Sequence, residues 1–362
     1  MIHKIYQKAR DQAIKTLGYN TIYKYYYGVL QHPLYVKYAL PPPLMSSWAA
    51  IELTNICNLR CSFCHHQKKN YARKKGFIDF ELFKKVIDQL SDYGIDNLTF
   101  NGGGESLMHP NFIDCIRYLC SKKKWRNIRL NTNGMLWTRD LIKEFLQYYD
   151  YQLSFSVQGF KNLDEDYRVG IDHDKVVENI NIFLEERKNS KKKPVIDIFY
   201  VSKPQEDYKK FLDYWLDKVD LFTSALCFSE NSEGGNAQKI EGYNEERKIC
   251  QIPWNNFWIT WNGDVYICEH FLLHPHNGDS VIGNVKEQTI KDIWGGEKIK
   301  NIRLGLTQAK PGKTLCNTCE RWKIGCVSKP KETLENNGKK IDDGTMTQYY
   351  KPFARQKLLN ET

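Results

Sequence analysis

A chain of 362 residues and 42.6 kDa suits one large domain with a smaller companion, at about 150 residues per domain. With 41% hydrophobic and 27% charged residues it can bury a sizeable core, which excludes wholesale disorder. No apolar run reaches the roughly 20 residues that cross a bilayer, and MIHKIYQKARDQ has no secretory apolar region, so a cytoplasmic location is expected. The balance of 53 basic against 43 acidic side chains gives +10, which permits an anionic partner without naming one.

Residues 1–47 form a basic, tyrosine-rich segment (Tyr23, Tyr25, Tyr26, Tyr27, Tyr35, Tyr38) that runs into Pro41-Pro42-Pro43. Prolines stop a helix there and mark a boundary. The segment is expected to pack back on the main domain, with peripheral contact to an anionic membrane surface as the alternative.

Over 48–230 the pattern alternates. Apolar, β-rich stretches at 48–53, 97–101, 127–132, 151–157, 195–201 and 221–228 predict strands. Helix-period stretches at 80–90, 112–119, 141–148, 176–186 and 208–216 lie between them. In 80–90, Leu82, Phe83, Val86, Ile87 and Leu90 share one face, and Asp79 and Thr138 stand where helix N-caps belong. Such alternation predicts a parallel sheet, open or curled into a partial barrel, with function at the C-terminal ends of its strands.

The rhythm then breaks. SENSEGGNAQ opens a polar linker over 231–249, and 250–330 reads as a small domain. Its short strands at 257–261 and 265–268 flank Asn262-Gly263, a strong hairpin signal. Beyond 330 the composition is polar, and 331–362 is expected to be a poorly ordered tail. The lysine-rich stretches 122–124 and 188–193 sit at helix ends and read as solvated charge.

Of the eleven cysteines, Cys115, Cys120 and Cys227 read as ordinary buried thiols. The other eight fall into two groups, which points to metal or cluster ligation rather than disulfides. Cys57, Cys61 and Cys64 follow the first predicted strand directly. Three soft thiolates in eight residues suit a zinc ion completed by His65 or His66, or a [4Fe–4S] cluster with one iron left open to a cofactor.

The CxxxCxφC spacing after a first strand, with Phe63 in the aromatic position, resembles the radical S-adenosylmethionine (SAM) superfamily. Further matches follow in order. Asn101-Gly102-Gly103-Gly104-Glu105 resembles the family's GGE motif, whose edge meets the SAM amino group, and consecutive glycines allow such an approach. Asn131-Thr132-Asn133-Gly134 resembles its TNG segment. Ser154-Phe155-Ser156-Val157-Gln158-Gly159 lies where serines or nearby polar groups contact the SAM ribose or carboxylate, although the family usually has Asp-Gly at Gln158-Gly159. Tyr167-Arg168 resembles the YR pair whose arginine contacts the SAM carboxylate. The resemblance therefore implies Cys57, Cys61 and Cys64 as cluster ligands. It implies Phe63, Gly103, Gly104, Glu105, Asn133, Ser154, Ser156 and Arg168 around SAM. The chemistry implied is reductive cleavage of SAM to a 5′-deoxyadenosyl radical that abstracts a hydrogen from substrate.

Cys250, Cys268, Cys316 and Cys319 suit a zinc ribbon or an iron–sulfur cluster equally well on spacing. With Cys326 they resemble the SPASM/twitch extension of radical SAM enzymes. A full SPASM domain has seven cysteines, and these five lie nearer the single-cluster twitch form, as in enzymes of the 2-deoxy-scyllo-inosamine dehydrogenase type. The fold implied is α/β: a partial (β/α)6 TIM-like barrel with a small C-terminal cysteine-rich twitch/SPASM-like domain. The function implied is net oxidation of a small sugar- or aminocyclitol-like molecule, with electron return to an auxiliary [4Fe–4S] cluster. A flavodoxin or ferredoxin would be the reductant, and no nucleic acid would bind. The alternatives are a peptide or protein maturase of the same family and, from another class, a zinc-stabilised basic nucleic-acid-binding protein. No catalytic base is assigned.

Overall fold

The structure is a computed structural model and describes residues 48–64, 73–122, 125–202, 207–226, 249–250, 252–273, 280–308, 316–317, 319, 331–335, 338–342 and 346–359. The segment 1–47, His65, His66, Cys227, nearly all of the linker and Cys326 lie outside them.

Six parallel strands form the barrel wall: β1 (Trp48–Ile51), β3 (Asn97–Phe100), β4 (Asn127–Thr132), β5 (Gln152–Ser156), β7 (Val195–Ser202) and β8 (Leu221–Leu226). Neighbours in that order are hydrogen-bonded in parallel. The crossovers are α1 (Phe80–Asp92), α2 (Phe112–Lys122), α3 (Arg139–Tyr148), α5 (His173–Asn189) and α6 (Tyr208–Leu216). A separate two-stranded ribbon pairs β2 (Arg60–Cys61) with β6 (Arg168–Val169), and the short α4 (Lys161–Tyr167) leads into β6.

Local chemistry fixes these elements. The Asp79 carboxylate accepts from the Glu81 and Leu82 amides at the start of α1, and the Thr138 hydroxyl accepts from the Leu141 amide at α3. In α1, the predicted face of Leu82, Phe83, Val86, Ile87 and Leu90 is buried. On β4 buried and half-buried residues alternate, so Ile128, Leu130 and Thr132 turn one way while Asn127, Arg129 and Asn131 turn the other. Between sheet and helices, Trp137 meets Phe145 and Phe183 edge-on at 5.0 and 5.3 Å between ring centroids.

The sheet continues past both barrel edges. The predicted hairpin forms as β9 (Asn256–Ile259) and β10 (Asp264–Tyr266), with Gly263 at φ +91° in the turn where a side chain would be strained. β9 lies parallel to β1, from Trp48 opposite Asn256 to Ile51 opposite Ile259, and β11 (Val281–Asn284) extends it. The second cysteine region is thus bonded to the strand that leads into the first. Helices α7 (Ile252–Asn255), α8 (Glu269–Leu273), α9 (Ile290–Gly295) and α10 (Glu297–Thr307) complete this part.

The expected poorly ordered tail is corrected. β12 (Lys331–Glu335), β13 (Gly338–Asp342) and β14 (Met346–Tyr350) form an antiparallel meander, and β14 pairs with β8 from Leu221 opposite Tyr350 to Ala225 opposite Met346. α11 (Pro352–Leu359) follows. Tyr350 and Ala354 pack on Val195 and Leu221, where β7 and β8 begin. The polar composition misled because only one face of a meander must be apolar. Tyr350→Ala is expected to cost about 3 kcal/mol in urea unfolding, whereas a disordered tail would lose nothing.

Candidate active site

The first cysteine loop leaves the C-terminal end of β1 and is held by backbone contacts with the glycine loop that leaves β3. The Glu105 amide donates to the Ile56 carbonyl at 2.9 Å. A Cβ on Gly104 would sit 2.3 Å from that same oxygen and 2.6 Å from the Ile56 amide nitrogen, so only glycine allows this approach one residue before Cys57. Glu105 is buried and binds in two directions. Oε2 accepts from the Asn133 amide at 2.6 Å, and Oε1 accepts from the Thr132 hydroxyl at 3.0 Å. Burial raises its carboxyl to about 7 against those hydrogen bonds.

Asn133 carries the link back to the cysteines. Its Nδ2 donates to Asn58 Oδ1 at 2.8 Å and lies 3.9 Å from Cys57 Sγ, while the Leu59 amide donates to that sulfur at 3.5 Å. From behind, Arg168 Nη1 donates to the Asn133 carbonyl at 3.0 Å. Arg168 is fully buried, and its Nε and Nη2 grip Asp164 at 2.7 and 2.5 Å. Burial pushes the Asp164 carboxyl up, but bonds from His173 and Arg168 outweigh it and hold the group below the usual carboxylate range. In the β2–β6 ribbon Cys61 stands opposite Arg168. The sequence motifs for the cysteine loop, GGE, TNG and YR are therefore one bonded assembly.

The donor set fits an iron–sulfur cluster. Cys57, Cys61 and Cys64 are half-buried; burial above all raises Cys57 to about 11 and Cys61 to about 12, with Glu105 and the neighbouring thiols adding to it, and a bound cationic centre would favour the thiolate form. Among the described residues, no three histidine, cysteine or acidic side chains converge on a site for a single ion. A polynuclear cluster does not require that convergence, because each thiolate takes its own iron.

Other expected contacts fall elsewhere. The structure places Phe63, half-buried, in the turn after Cys61, and Ser156, half-buried, at the end of β5. Ser154 lies deeper inside the barrel wall. Its hydroxyl donates to Asp197 Oδ2 at 2.6 Å and accepts from Arg129 Nε and Gln152 Nε2, both at 3.1 Å. Gln158 joins strand ends: its Oε1 accepts from the Val201 amide at 2.8 Å and its Nε2 donates to the Phe199 carbonyl at 3.4 Å. An aspartate is one methylene shorter for that bridge.

Sequence reasoning missed Glu52. At the end of β1 it is 1% exposed and pairs with Arg73, Nη1 to Oε1 at 2.9 Å and Nη2 to Oε2 at 2.5 Å. The same carboxylate accepts from the Gly103 amide at 2.8 Å and the Trp261 amide at 3.3 Å. One side chain thus ties the cysteine-loop return, the glycine loop and the β9–β10 hairpin. The available signal was an acid within the otherwise apolar run AAIEL.

In the second region Cys250, Cys268, Cys316 and Cys319 are half-buried, and the first three pack against the main core.

Comparisons with known proteins agree with this geometry. Residues 51–213 match the Radical SAM superfamily, and residues 250–320 match SPASM, the iron–sulfur cluster-binding domain. The chain therefore carries a radical SAM domain, and its second cysteine region is a SPASM domain. It is thus an enzyme built for [4Fe–4S] clusters and SAM. It is 24% identical over 296 residues to the tungsten-containing aldehyde ferredoxin oxidoreductase cofactor-modifying protein of Pyrococcus furiosus, covering 68% of this chain and 80% of the relative. It is 22% identical over 285 residues to the S-adenosyl-L-methionine-dependent 2-deoxy-scyllo-inosamine dehydrogenase of Niallia circulans, covering 77% and 94%. Its fold is similar to Streptococcus suis SuiB bound to precursor peptide SuiA, with a TM-score of 0.57 at 16% identity, covering 73% and 67%. No helix among the described residues is long and apolar enough to cross a membrane.

Removing Glu52 leaves the Arg73 charge buried, so Glu52→Ala is expected to cost about 3–5 kcal/mol in denaturant unfolding. A cost under about 1 kcal/mol would rule out its joining role. Gly104→Ala is expected to displace the backbone before Cys57 and lower iron content after anaerobic reconstitution, with the chain still folded by circular dichroism.

Proposed function

We propose that the enzyme is an oxidoreductase carrying out a net two-electron oxidation of a small, hydroxyl-rich molecule, sugar- or aminocyclitol-like, inside the barrel. The supporting observation is the polar inner face. Arg129 stacks on Phe199 at 4.6 Å, lies 3.7 Å from Asp197, and is backed by Ser154 and Gln152 on adjacent strands. Arg129 Nη2, Asn131 Oδ1 and Asp197 Oδ1 have no hydrogen-bond partner among the described residues. One unmatched donor beside two unmatched acceptors suits hydroxyl groups, which both donate and accept. The likeness to the 2-deoxy-scyllo-inosamine dehydrogenase supports the same reading.

Cys57, Cys61 and Cys64 would hold the barrel cluster. Gly103, Gly104, Glu105, Asn133, Ser156 and Arg168, with Phe63, would shape the SAM site. Ser154 would act through Arg129 and Asp197. Cys250, Cys268, Cys316 and Cys319 would hold the auxiliary cluster, with Cys326 a fifth candidate. When bound, these groups supply a 5′-deoxyadenosyl radical for hydrogen abstraction and a site for the second electron. The protein contributes a shielded, oriented substrate position and, from a flavodoxin- or ferredoxin-type partner, a route for electrons.

A second reading is a peptide maturase, supported by the fold shared with the SuiB–peptide complex. Anaerobic assays that follow 5′-deoxyadenosine with candidate sugars and with peptides separate the two. Acceleration by sugars and oxidised sugar product is expected, while acceleration by peptides alone overturns the reading. Reconstituted protein should be brown with about eight irons per chain, four for each cluster. Colourless protein with stoichiometric zinc would favour the nucleic-acid-binding class instead.

Cys61→Ala should abolish 5′-deoxyadenosine formation. Cys316→Ala should keep slow, uncoupled SAM cleavage but stop product. Arg129→Met should lower substrate-dependent turnover about 10- to 100-fold, the loss of a charged hydrogen bond, while leaving uncoupled cleavage intact.

A further inference from the structure

Arg303 lies on α10, far along the chain from the barrel motifs, and is completely buried. Its Nε donates to the Pro253 carbonyl at 3.0 Å, its Nη1 donates to the Trp294 carbonyl at 2.9 Å, and the guanidinium lies 4.5 Å over the Trp294 ring. Its Nη2, shut away from solvent, has no hydrogen-bond partner among the described residues. Among the described residues it forms no ion pair with a carboxylate, and burial pulls the guanidinium down to about 9.

A cation taken out of water without a counter-charge costs several kcal/mol. Carbonyl dipoles from α7 and α9 offset part of that, since each lies in a short helix whose C-terminal end carries partial negative charge. Among the described residues they leave the net charge of +1 without a paired acid. Among the described residues Arg73 pairs with Glu52, Arg129 lies near Asp197, and Arg168 pairs with Asp164. Arg303 departs from that pattern, and its surroundings name the reason. Pro253 stands three residues after Cys250 along the chain, and Arg303 stands thirteen residues before Cys316. Cys250, Cys268 and Cys316 pack against the same core that holds Trp254, Trp294, Ile299 and Ile302. Four thiolates around a [4Fe–4S] core carry a net charge of about −2, and one more on reduction.

We propose that Arg303 is the counter-charge of the auxiliary cluster, a positioning residue that raises the cluster's reduction potential by favouring its more negative, reduced state. Cluster potentials respond to nearby charge, hydrogen bonds and burial, and a fixed guanidinium in a low-dielectric wall acts with little screening. A raised potential makes this cluster a better electron acceptor, whatever the substrate. The proposal rests on the SPASM domain and not on the identity of that substrate.

The test is an EPR-monitored redox titration of the reconstituted full chain carrying Cys57→Ala, Cys61→Ala and Cys64→Ala, so that the auxiliary cluster gives the signal. Arg303→Gln should shift the midpoint potential downward, and Arg303→Lys, which keeps the charge, should hold it near the parent value. An unchanged potential in Arg303→Gln overturns the proposal, as does an equal fall in both variants, which would trace the effect to geometry rather than charge. Should Arg303→Gln take up no auxiliary iron, thermal melting of the cluster-free chain decides. A Tm equal to that of the cluster-free parent supports a role tied to the cluster. A Tm lowered without the cluster marks Arg303 as a bolt between α7 and α9 and overturns the proposal.

Discussion

The Glu52 carboxylate stands at the point where the barrel, the glycine loop and the SPASM hairpin meet. A charge at 1% exposure survives only when its lone pairs are filled, and here Arg73, Gly103 and Trp261 fill them. Because these partners come from three separate stretches of chain, satisfying one buried carboxylate also fixes their relative positions. The thiols at Cys57, Cys61 and Cys64 inherit that order, since the loop carrying them begins directly after β1. Breaking the pair would cost more than its own energy: it would free the glycine loop from the wall against which Gly104 must press.

The same device recurs around the barrel. Apolar side chains face the helices, where Trp137, Phe145 and Phe183 interlock. On the opposite face of the wall Asp197 lies near Arg129, and beside the first cysteine loop Asp164 of α4 grips Arg168 of β6. Paired burial lets the wall keep charges close to a site that must exclude water and stray hydrogen donors. Among the described residues Arg303 has no paired acid, which fits a cluster domain, where the ligand itself brings negative charge.

The family was legible because its motifs are local. CNLRCSFC, GGGE and TNTNG each need a fixed spacing and small residues at defined points, which a linear sequence displays directly. The helices of the barrel were also readable, since Asp79 and Thr138 cap them and the apolar face of α1 repeats at helical spacing. The roles of Glu52, Asp164 and Asp197 were not. Each depends on partners 4 to 209 residues away, and even the apolar run that marks Glu52 as buried does not name those partners.

By itself the sequence determined the class of strand–helix repeat, the order of the motifs and the thiols available as ligands, because spacing along the chain sets what one loop can wrap. Tertiary structure decided which strands close the wall. It paired β9 with β1 across some 200 residues and drew the polar C-terminal stretch onto β8 as β14. It also decided which charges are buried and with whom. Sheet pairing and ion pairing are long-range choices, governed by where apolar faces and unsatisfied polar atoms can be covered together, and that becomes defined only once the chain has folded.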